Sequence, residues 1–225
     1  MSIDTIKISQ IRSGSKFMSS LESACGDASV LNVAHTGAGA GDGIAEAIIR
    51  KLQRKSASSI SYKAIELSKT NCDLMKQRFA NIPFFTAING TAIASGSYLS
   101  HLEVKNFYWD NDTDFKLRIL DEVYPLRLEE LNYISVRGFS SGALSGIVAG
   151  IDMMIIAGSE FTGEQEFDLA IEVDPIFFAL WDTNSIRNYK NAQSLSAAES
   201  GYHLYSSGKE YGIEWKIFEK NGGGA

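Results

Sequence analysis

The sequence has few cysteines and prolines, and it lacks a long apolar run. Its two cysteines, Cys25 and Cys72, are too few for a disulfide framework and do not form a C-x-x-C metal-binding pair. Three prolines in 225 residues disfavour a disordered or linker-rich chain. The most apolar window, 142–158, is short and contains Asp152, which is typical of a buried core and not of a membrane span. These absences argue against a disulfide-rich secreted protein and against a membrane protein.

The remaining composition is that of a folded domain. Hydrophobic residues make up 44% and charged residues 21% of the chain, and we predict a single domain over 1–225. The first residues lack the apolar region of a signal peptide, which with the low cysteine count predicts a reducing, cytoplasmic environment. The net charge of −6 disfavours wholesale wrapping of nucleic acid but leaves room for a local basic groove. The three histidines are scattered, so no metal site is predicted.

Strand and helix patterns alternate over the first 90 residues. After a helix within 5–25, the periodicity predicts a strand at 29–35, a helix at 43–55, a strand at 59–67, a helix at 69–80 and a strand at 84–89. Such alternation implies right-handed crossovers between parallel strands. The predicted fold class is therefore α/β, with a Rossmann-like, doubly wound and mostly parallel sheet.

The second part of the chain has a weaker pattern. We interpret residues 95–165 as an irregular insertion, with an exposed polar loop at 106–113 and a helix within 115–132. Periodicity returns at 167–173, which alternates as a strand would and ends at Asp174. A helix at 188–206 and a final strand at 211–219 complete the prediction.

A glycine-rich turn follows the first predicted strand. Gly37, Gly39 and Gly41 form G-x-G-x-G, and a helix-forming run begins directly afterwards. Glycine at alternate positions allows a tight turn and close approach of a ligand, and the helix that follows directs free N–H groups toward it. The NAD fingerprint G-x-G-x-x-G is broken, because its third glycine would fall on Asp42 or Ile44. The turn therefore predicts a nucleotide-type site of another kind.

An acidic residue, Glu66, ends the second predicted strand, where a carboxylate can accept both hydroxyls of a ribose. With this acid and the glycine turn, the chain resembles the class I S-adenosylmethionine-dependent methyltransferases. The resemblance implies S-adenosylmethionine as cofactor, its methionine part on the glycine turn and its ribose on Glu66. It also implies that Asn89, after the third strand, contacts the adenine. His35 stands in the cofactor region where the family usually has an acid.

Three further segments resemble the 2′-O-ribose RNA methyltransferases, which include cap enzymes with a Lys-Asp-Lys-Glu catalytic set. Lys16 precedes the glycine turn, Asp174 ends the segment F-D-L-A-I-E-V-D, and Lys216 lies in G-I-E-W-K-I-F. The resemblance implies methyl transfer to a ribose 2′-hydroxyl of RNA, in a cap or internally. Lys216 would be the base, and Lys16 and Asp174 would tune it. The fourth member, a glutamate, has no counterpart in this sequence.

Three alternatives remain open from the sequence. The run Asp174-Pro175-Ile176-Phe177 is similar to the loop of methyltransferases that act on amino groups, although its second proline is missing. A degenerate methyltransferase fold acting as a binding subunit, as part of a larger protein or complex, would account for His35 and the missing glutamate. A nicotinamide oxidoreductase is disfavoured by the broken fingerprint.

Overall fold

A seven-stranded sheet forms the centre of the computed structural model, which describes residues 15–27, 29–56, 59–111 and 123–222. The strand order is β3-β2-β1-β4-β5-β7-β6, and β1 to β5 are mutually parallel while β7 runs antiparallel to both neighbours. The strands are β1 (Asn32–Thr36), β2 (Ser61–Glu66), β3 (Phe85–Asn89), β4 (Met153–Ile156), β5 (Phe177–Trp181), β6 (Tyr202–Glu210) and β7 (Ile213–Lys220). The predicted Rossmann-like, mostly parallel sheet is confirmed.

Helices cover both faces of this sheet. On the first face lie α1 (Lys16–Ala24), α2 (Ile44–Leu52) and α3 (Lys69–Arg78). On the second face lie α6 (Gly163–Ile171) and α7 (Tyr189–Ser196). Because successive strand residues point to opposite faces, Trp215 and Ile217 of β7 pack in the first core while Phe218 packs in the second. This alternation decides on which face each polar strand residue lies.

Two further helices cover part of one sheet edge. They are α4 (His101–Asp110) and α5 (Tyr124–Arg137), which share a third apolar cluster with Phe161 and Ile186. Phe161 follows β4 and Ile186 follows β5, so this cluster lies at the carboxyl ends of those strands. A capping box at Ser100 begins α4, and Gly138 in the left-handed conformation ends α5. The pair therefore forms a cover over the edge at β4 and β5.

From residue 15 to residue 90 the predictions match observed elements, and residues 5–14 of the first predicted helix lie outside the described part of the chain. Several later predictions are wrong. Residues 167–171 of the predicted strand belong to α6, because the buried positions 163, 166, 167 and 170 follow a helical period. The predicted helix at 188–206 ends at Ser196, and β6 occupies 202–210. The predicted polar loop begins inside α4, and residues 112–122 lie outside the described part of the chain. Finally, 95–165 is no irregular insertion, since it contains the central strand β4.

Within the described ranges, no helix combines the length and the apolar character that crossing a bilayer requires. In the same residues, histidine, cysteine and acidic side chains do not gather in groups of three or more that could bind a metal ion.

Candidate cofactor site at the carboxyl edge of the sheet

The glycine turn after β1 takes a conformation that favours glycine at each of its first three glycines. Gly37, Gly39 and Gly41 have φ angles of 71°, 60° and 82°. A Cβ on Gly37 would lie 2.4 Å from the carbonyl oxygen of Ala157, and a Cβ on Gly41 would lie 2.6 Å from the Phe79 ring. No atom lies within 4 Å of the Cβ position of Gly39. Two glycines therefore permit tight packing, and the one between them leaves open space.

Glu66 joins the end of β2 to this turn. Its side chain is 3% exposed, and its Oε2 accepts the backbone N–H of Gly39 at 2.8 Å. Its Oε1 accepts the backbone N–H of Ser68 at 2.9 Å. Burial raises the pKa of this carboxyl, and these hydrogen bonds oppose the rise. The Asn71 side chain also donates to this carboxylate. Because a carboxylate has about four acceptor positions, about one remains for a further donor.

Asn89 lies beside Glu66 in the parallel register of β2 and β3. Its side-chain amide donates to the carbonyl oxygens of Glu66 and Leu67, both at 3.0 Å. Gly90, which follows it, has no atom within 4 Å of its Cβ position. Asn89 thus fixes the backbone that carries the carboxylate, and space remains beside it.

His35 lies in β1, two residues before the glycine turn, and is 1% exposed. Its Nδ1 shares a 2.7 Å hydrogen bond with the hydroxyl of Tyr62, while its Nε2 has no hydrogen-bond partner among the described residues. Burial lowers the pKa of this imidazole to about 3, so the ring is neutral near pH 7. The position therefore carries no charge beneath the turn.

A second polar group, absent from the sequence prediction, lies beside the turn at the carboxyl ends of β1 and β4. Glu166 of α6 is 1% exposed, and its two oxygens accept the hydroxyls of Thr36 and Thr162, each at 2.5 Å. A Cβ on Gly158, which follows β4, would lie 3.2 Å from Glu166 Oε1. Thr36 directly precedes Gly37, so this carboxylate is tied to the start of the glycine turn.

Further buried acids follow this group toward β5 and the cover helices. Glu130 of α5 accepts the Ser159 hydroxyl at 2.5 Å, and burial raises the pKa of this carboxyl to about 7. Asp182, directly after β5, has a φ of 68° and lies with its Oδ2 3.6 Å from Arg187 Nη1. Its Oδ1 is buried and has no hydrogen-bond partner in the described chain. The ends of β4 and β5 could have indicated these residues, but neither strand was recognised in the sequence.

The structure does not bring Lys16, Asp174 and Lys216 together. Asp174 follows α6 and precedes β5, so it lies at the amino edge of the sheet, opposite the glycine turn. There it accepts from the hydroxyl of Tyr202 at 3.0 Å and forms an ion pair with Lys220. Its predicted place depended on a strand at 167–173 that is in fact a helix, so the prediction for Asp174 is wrong. The run Asp174–Phe177 lies at that edge too.

The two lysines lie on opposite faces of the sheet. Lys16 begins α1 on the first face, where the neighbouring Phe17 packs between Trp181 and Trp215. Lys216 is paired with Leu180 in the middle of β7, and it alternates with residues whose side chains pack on the first face. Its own side chain therefore points to the second face. The predicted catalytic arrangement of the three residues is not formed.

Comparison with solved structures identifies the fold. An O-methyltransferase from Bacillus cereus in complex with S-adenosylhomocysteine has a TM-score of 0.55 and 12% identity, over 93% of this chain and 82% of that one. The O-methyltransferase TomG from Streptomyces achromogenes, in complex with S-adenosylmethionine, has a TM-score of 0.54 and 10% identity, over 91% and 79%. A precorrin-6y C5,15-methyltransferase from Geobacter metallireducens has a TM-score of 0.52 and 12% identity, over 91% and 85%. No protein-family model and no curated protein matches the sequence. The chain has the Rossmann-like fold of class I methyltransferases.

Proposed function

We propose that this protein binds S-adenosylmethionine and transfers its methyl group to an acceptor. The observation that carries the proposal is the buried carboxylate of Glu66, held at the end of β2 against the open glycine of the turn by the 2.8 Å bond from Gly39. A carboxylate at this position of a doubly wound sheet is placed for ribose hydroxyls. The methyltransferase fold supports the adenosyl cofactor over NAD, whose fingerprint the sequence lacks.

In this proposal different residues at the carboxyl edge of the sheet bind different parts of the cofactor. Glu66 accepts a ribose hydroxyl with its remaining lone pair, and Asn89 contributes by fixing the end of β2 beside the adenine. The glycine turn and the N-terminus of α2, which no side chain caps, face the methionine carboxylate. When bound, the cofactor supplies an electrophilic methyl group on a sulfonium. The loops after β4 and β5 and the cover formed by α4 and α5 then surround the acceptor.

The ribose 2′-hydroxyl of RNA is not the acceptor that the geometry favours. That prediction required Lys16, Asp174 and Lys216 to act on one oxygen. The two lysines lie on different faces of the sheet, and Asp174 lies at its amino edge, opposite the glycine turn. The side chains near the ends of β4 and β5 are mainly acidic, which is unfavourable for a phosphate backbone. We therefore leave RNA as one acceptor to be assayed and propose a smaller, non-nucleic-acid acceptor.

Calorimetry tests the cofactor first. We expect S-adenosylmethionine and S-adenosylhomocysteine to bind and NAD not to bind. Transfer of a labelled methyl group to capped RNA and to a panel of small phenols and amines then tests the acceptor. Binding without transfer to any acceptor would favour the binding-subunit alternative, and absence of binding would refute the proposal.

A further inference from the structure

The reactive end of the proposed cofactor is located by the order of the strands. Its adenosyl end is assigned to β2 and β3, and the next strands along the edge are β1 and then β4. Neighbouring strands lie about 4.8 Å apart, so a ligand anchored at β2 reaches the end of β4 within two strand spacings. There Gly37 is in close contact with Ala157 and Gly158. This contact marks where the sulfonium would lie, an assignment that rests on the proposed function.

Glu166 lies directly behind this contact. The Thr36 hydroxyl donates to one of its oxygens, and the Cβ position of Gly158 is 3.2 Å from the other. Thr36 and Gly158 belong to the two backbone segments that meet at Gly37. The carboxylate is thus held by two threonine hydroxyls, within the protein and separated from solvent, next to the assigned position of the sulfonium.

The charges around Glu166 are unbalanced. The guanidinium of Arg187 lies 3.6 Å from Asp182 Oδ2, and among the described residues its charge opposes the rise in the pKa of Glu166, Glu130 and Asp182. Glu160 also faces Glu130, while its own carboxylate accepts the hydroxyl of Tyr108. The hydroxyl of Tyr98 faces Glu130 and Glu166. This region therefore contains more acids than cations.

Three buried polar atoms of this region have no hydrogen-bond partner among the described residues: Asp182 Oδ1, Thr183 Oγ1 and Arg187 Nε. Asp182 is 8% exposed, and its Oδ1 has no hydrogen-bond partner among the described residues, although the Ser185 hydroxyl interacts with the same carboxyl and lowers its pKa. A buried carboxylate oxygen without a donor is costly, because burial removes its hydration. A bound cation would stabilise the ionised form of such a group. The unpaired carboxylate oxygen is therefore a place where a positive charge from outside the chain would be stabilised, in addition to that of Arg187.

We propose that Glu166, Glu130 and Asp182 provide the counter-charge for the sulfonium, so that this protein binds S-adenosylmethionine more tightly than S-adenosylhomocysteine when these carboxylates are ionised. The two ligands share the adenosyl group and the amino-acid group, and only the first carries the positive sulfur. Their difference in affinity therefore measures the effect of the carboxylates on that charge.

Proton linkage gives this proposal a pH dependence. Burial raises the pKa of all three carboxyls, and that of Glu130 reaches about 7, so Glu130 is partly protonated near neutral pH in the free protein. A bound sulfonium favours the ionised form and lowers these pKa values. Binding of S-adenosylmethionine then releases protons and strengthens with rising pH, by about tenfold for each unit by which the pKa falls.

Titration calorimetry at pH 6, 7 and 8, in buffers of different ionisation enthalpy, measures both affinity and proton release. For the wild type we expect the affinity ratio of the two ligands to shift about tenfold toward S-adenosylmethionine between pH 6 and pH 8. Glu166→Gln removes one ionisable group, and we expect it to reduce that shift and the proton release. Glu164→Gln, on the same helix but paired with Lys190 at the surface, is the matched control and should behave as wild type.

The outcomes separate this inference from the proposed function. Absence of binding by both ligands would refute cofactor binding itself. If both ligands bind with the same pH dependence, the counter-charge alone is refuted. The same holds if the difference in affinity between the two ligands is unchanged in Glu166→Gln. Should Glu166→Gln fail to fold, Glu130→Gln provides the same comparison, because this residue faces the same guanidinium. Titration of the ligand's own amino group persists in every variant and is thereby subtracted.

Discussion

Replacement of Glu66 by glutamine tests the proposed cofactor site most directly. The substitution keeps the size of the side chain and one acceptor oxygen, but it replaces the other oxygen with an amide N–H₂ group. One of the two backbone donors, Gly39 or Ser68, then faces a donor instead of an acceptor. The ribose loses its acceptor at the same place, so ligand affinity and local packing both change.

The magnitude follows from the number of hydrogen bonds lost. A hydrogen bond to a charged group contributes about 1.5–3 kcal/mol, so loss of one ribose contact weakens binding roughly 10- to 100-fold. The unpaired backbone N–H costs about 1–3 kcal/mol of folding stability, which chemical denaturation measures separately. We therefore expect Glu66→Gln to remain folded at 25 °C and to bind S-adenosylhomocysteine at least tenfold more weakly.

Titration calorimetry on the folded variant is the assay. Glu172→Gln, exposed just past the far end of α6, is the matched control and should leave the dissociation constant unchanged. A dissociation constant for Glu66→Gln within twofold of wild type, in a protein of normal stability, would contradict the assignment of the ribose to this carboxylate.

Three other substitutions test the surrounding structure. Gly37→Ala should destabilise the fold by several kcal/mol in urea denaturation, because the new Cβ meets the Ala157 carbonyl oxygen at 2.4 Å and φ is 71°; a loss below about 1 kcal/mol would argue against this packing. Lys216→Ala should change methyl transfer less than twofold, since the side chain points to the second face; a large loss in a transfer assay would restore the ribose mechanism. Glu130 has a folded-state pKa raised from 4.5 to about 7, so the stability present below pH 4.5 falls as pH rises to 7, by roughly 3 kcal/mol. Glu130→Gln should remove that decline from pH-dependent denaturation curves, and an unchanged slope would contradict the buried, neutral state of this carboxyl.

The first half of the fold and of the site could be predicted because its signals are local. Glycine at 37, 39 and 41 permits the tight turn with positive φ angles, and Glu66 ends β2 beside the point where β1 passes into this turn. Residues in such βαβ units are close in sequence and in space. The structure therefore places the turn and the acid together, as the pattern indicated.

The second half could not be predicted, because the patterns of strand and helix overlap there. Phe167, Leu169 and Ile171 alternate with polar residues, as in a half-exposed strand. The buried positions show a helical period only when Glu166 is counted among them, and a sequence gives no reason to bury a glutamate. Its burial depends on Thr36, 130 residues away. Because the alternation predicts a strand where the chain forms this helix, it places Asp174 at the wrong edge of the sheet.

The same long-range contact predicts that the two halves of the site act together. Thr36 donates to Glu166 immediately before the glycine turn, and Gly37 allows the turn to touch the backbone after β4. A displacement of the turn on cofactor binding would therefore move a carboxylate that faces the guanidinium beside the acceptor loops. Thr36→Val removes the hydroxyl and keeps the shape of the side chain. It should therefore reduce the difference in affinity between S-adenosylmethionine and S-adenosylhomocysteine, while both ligands still bind. Equal discrimination in Thr36→Val and wild type, measured by calorimetry, would mean that the two halves are only neighbours.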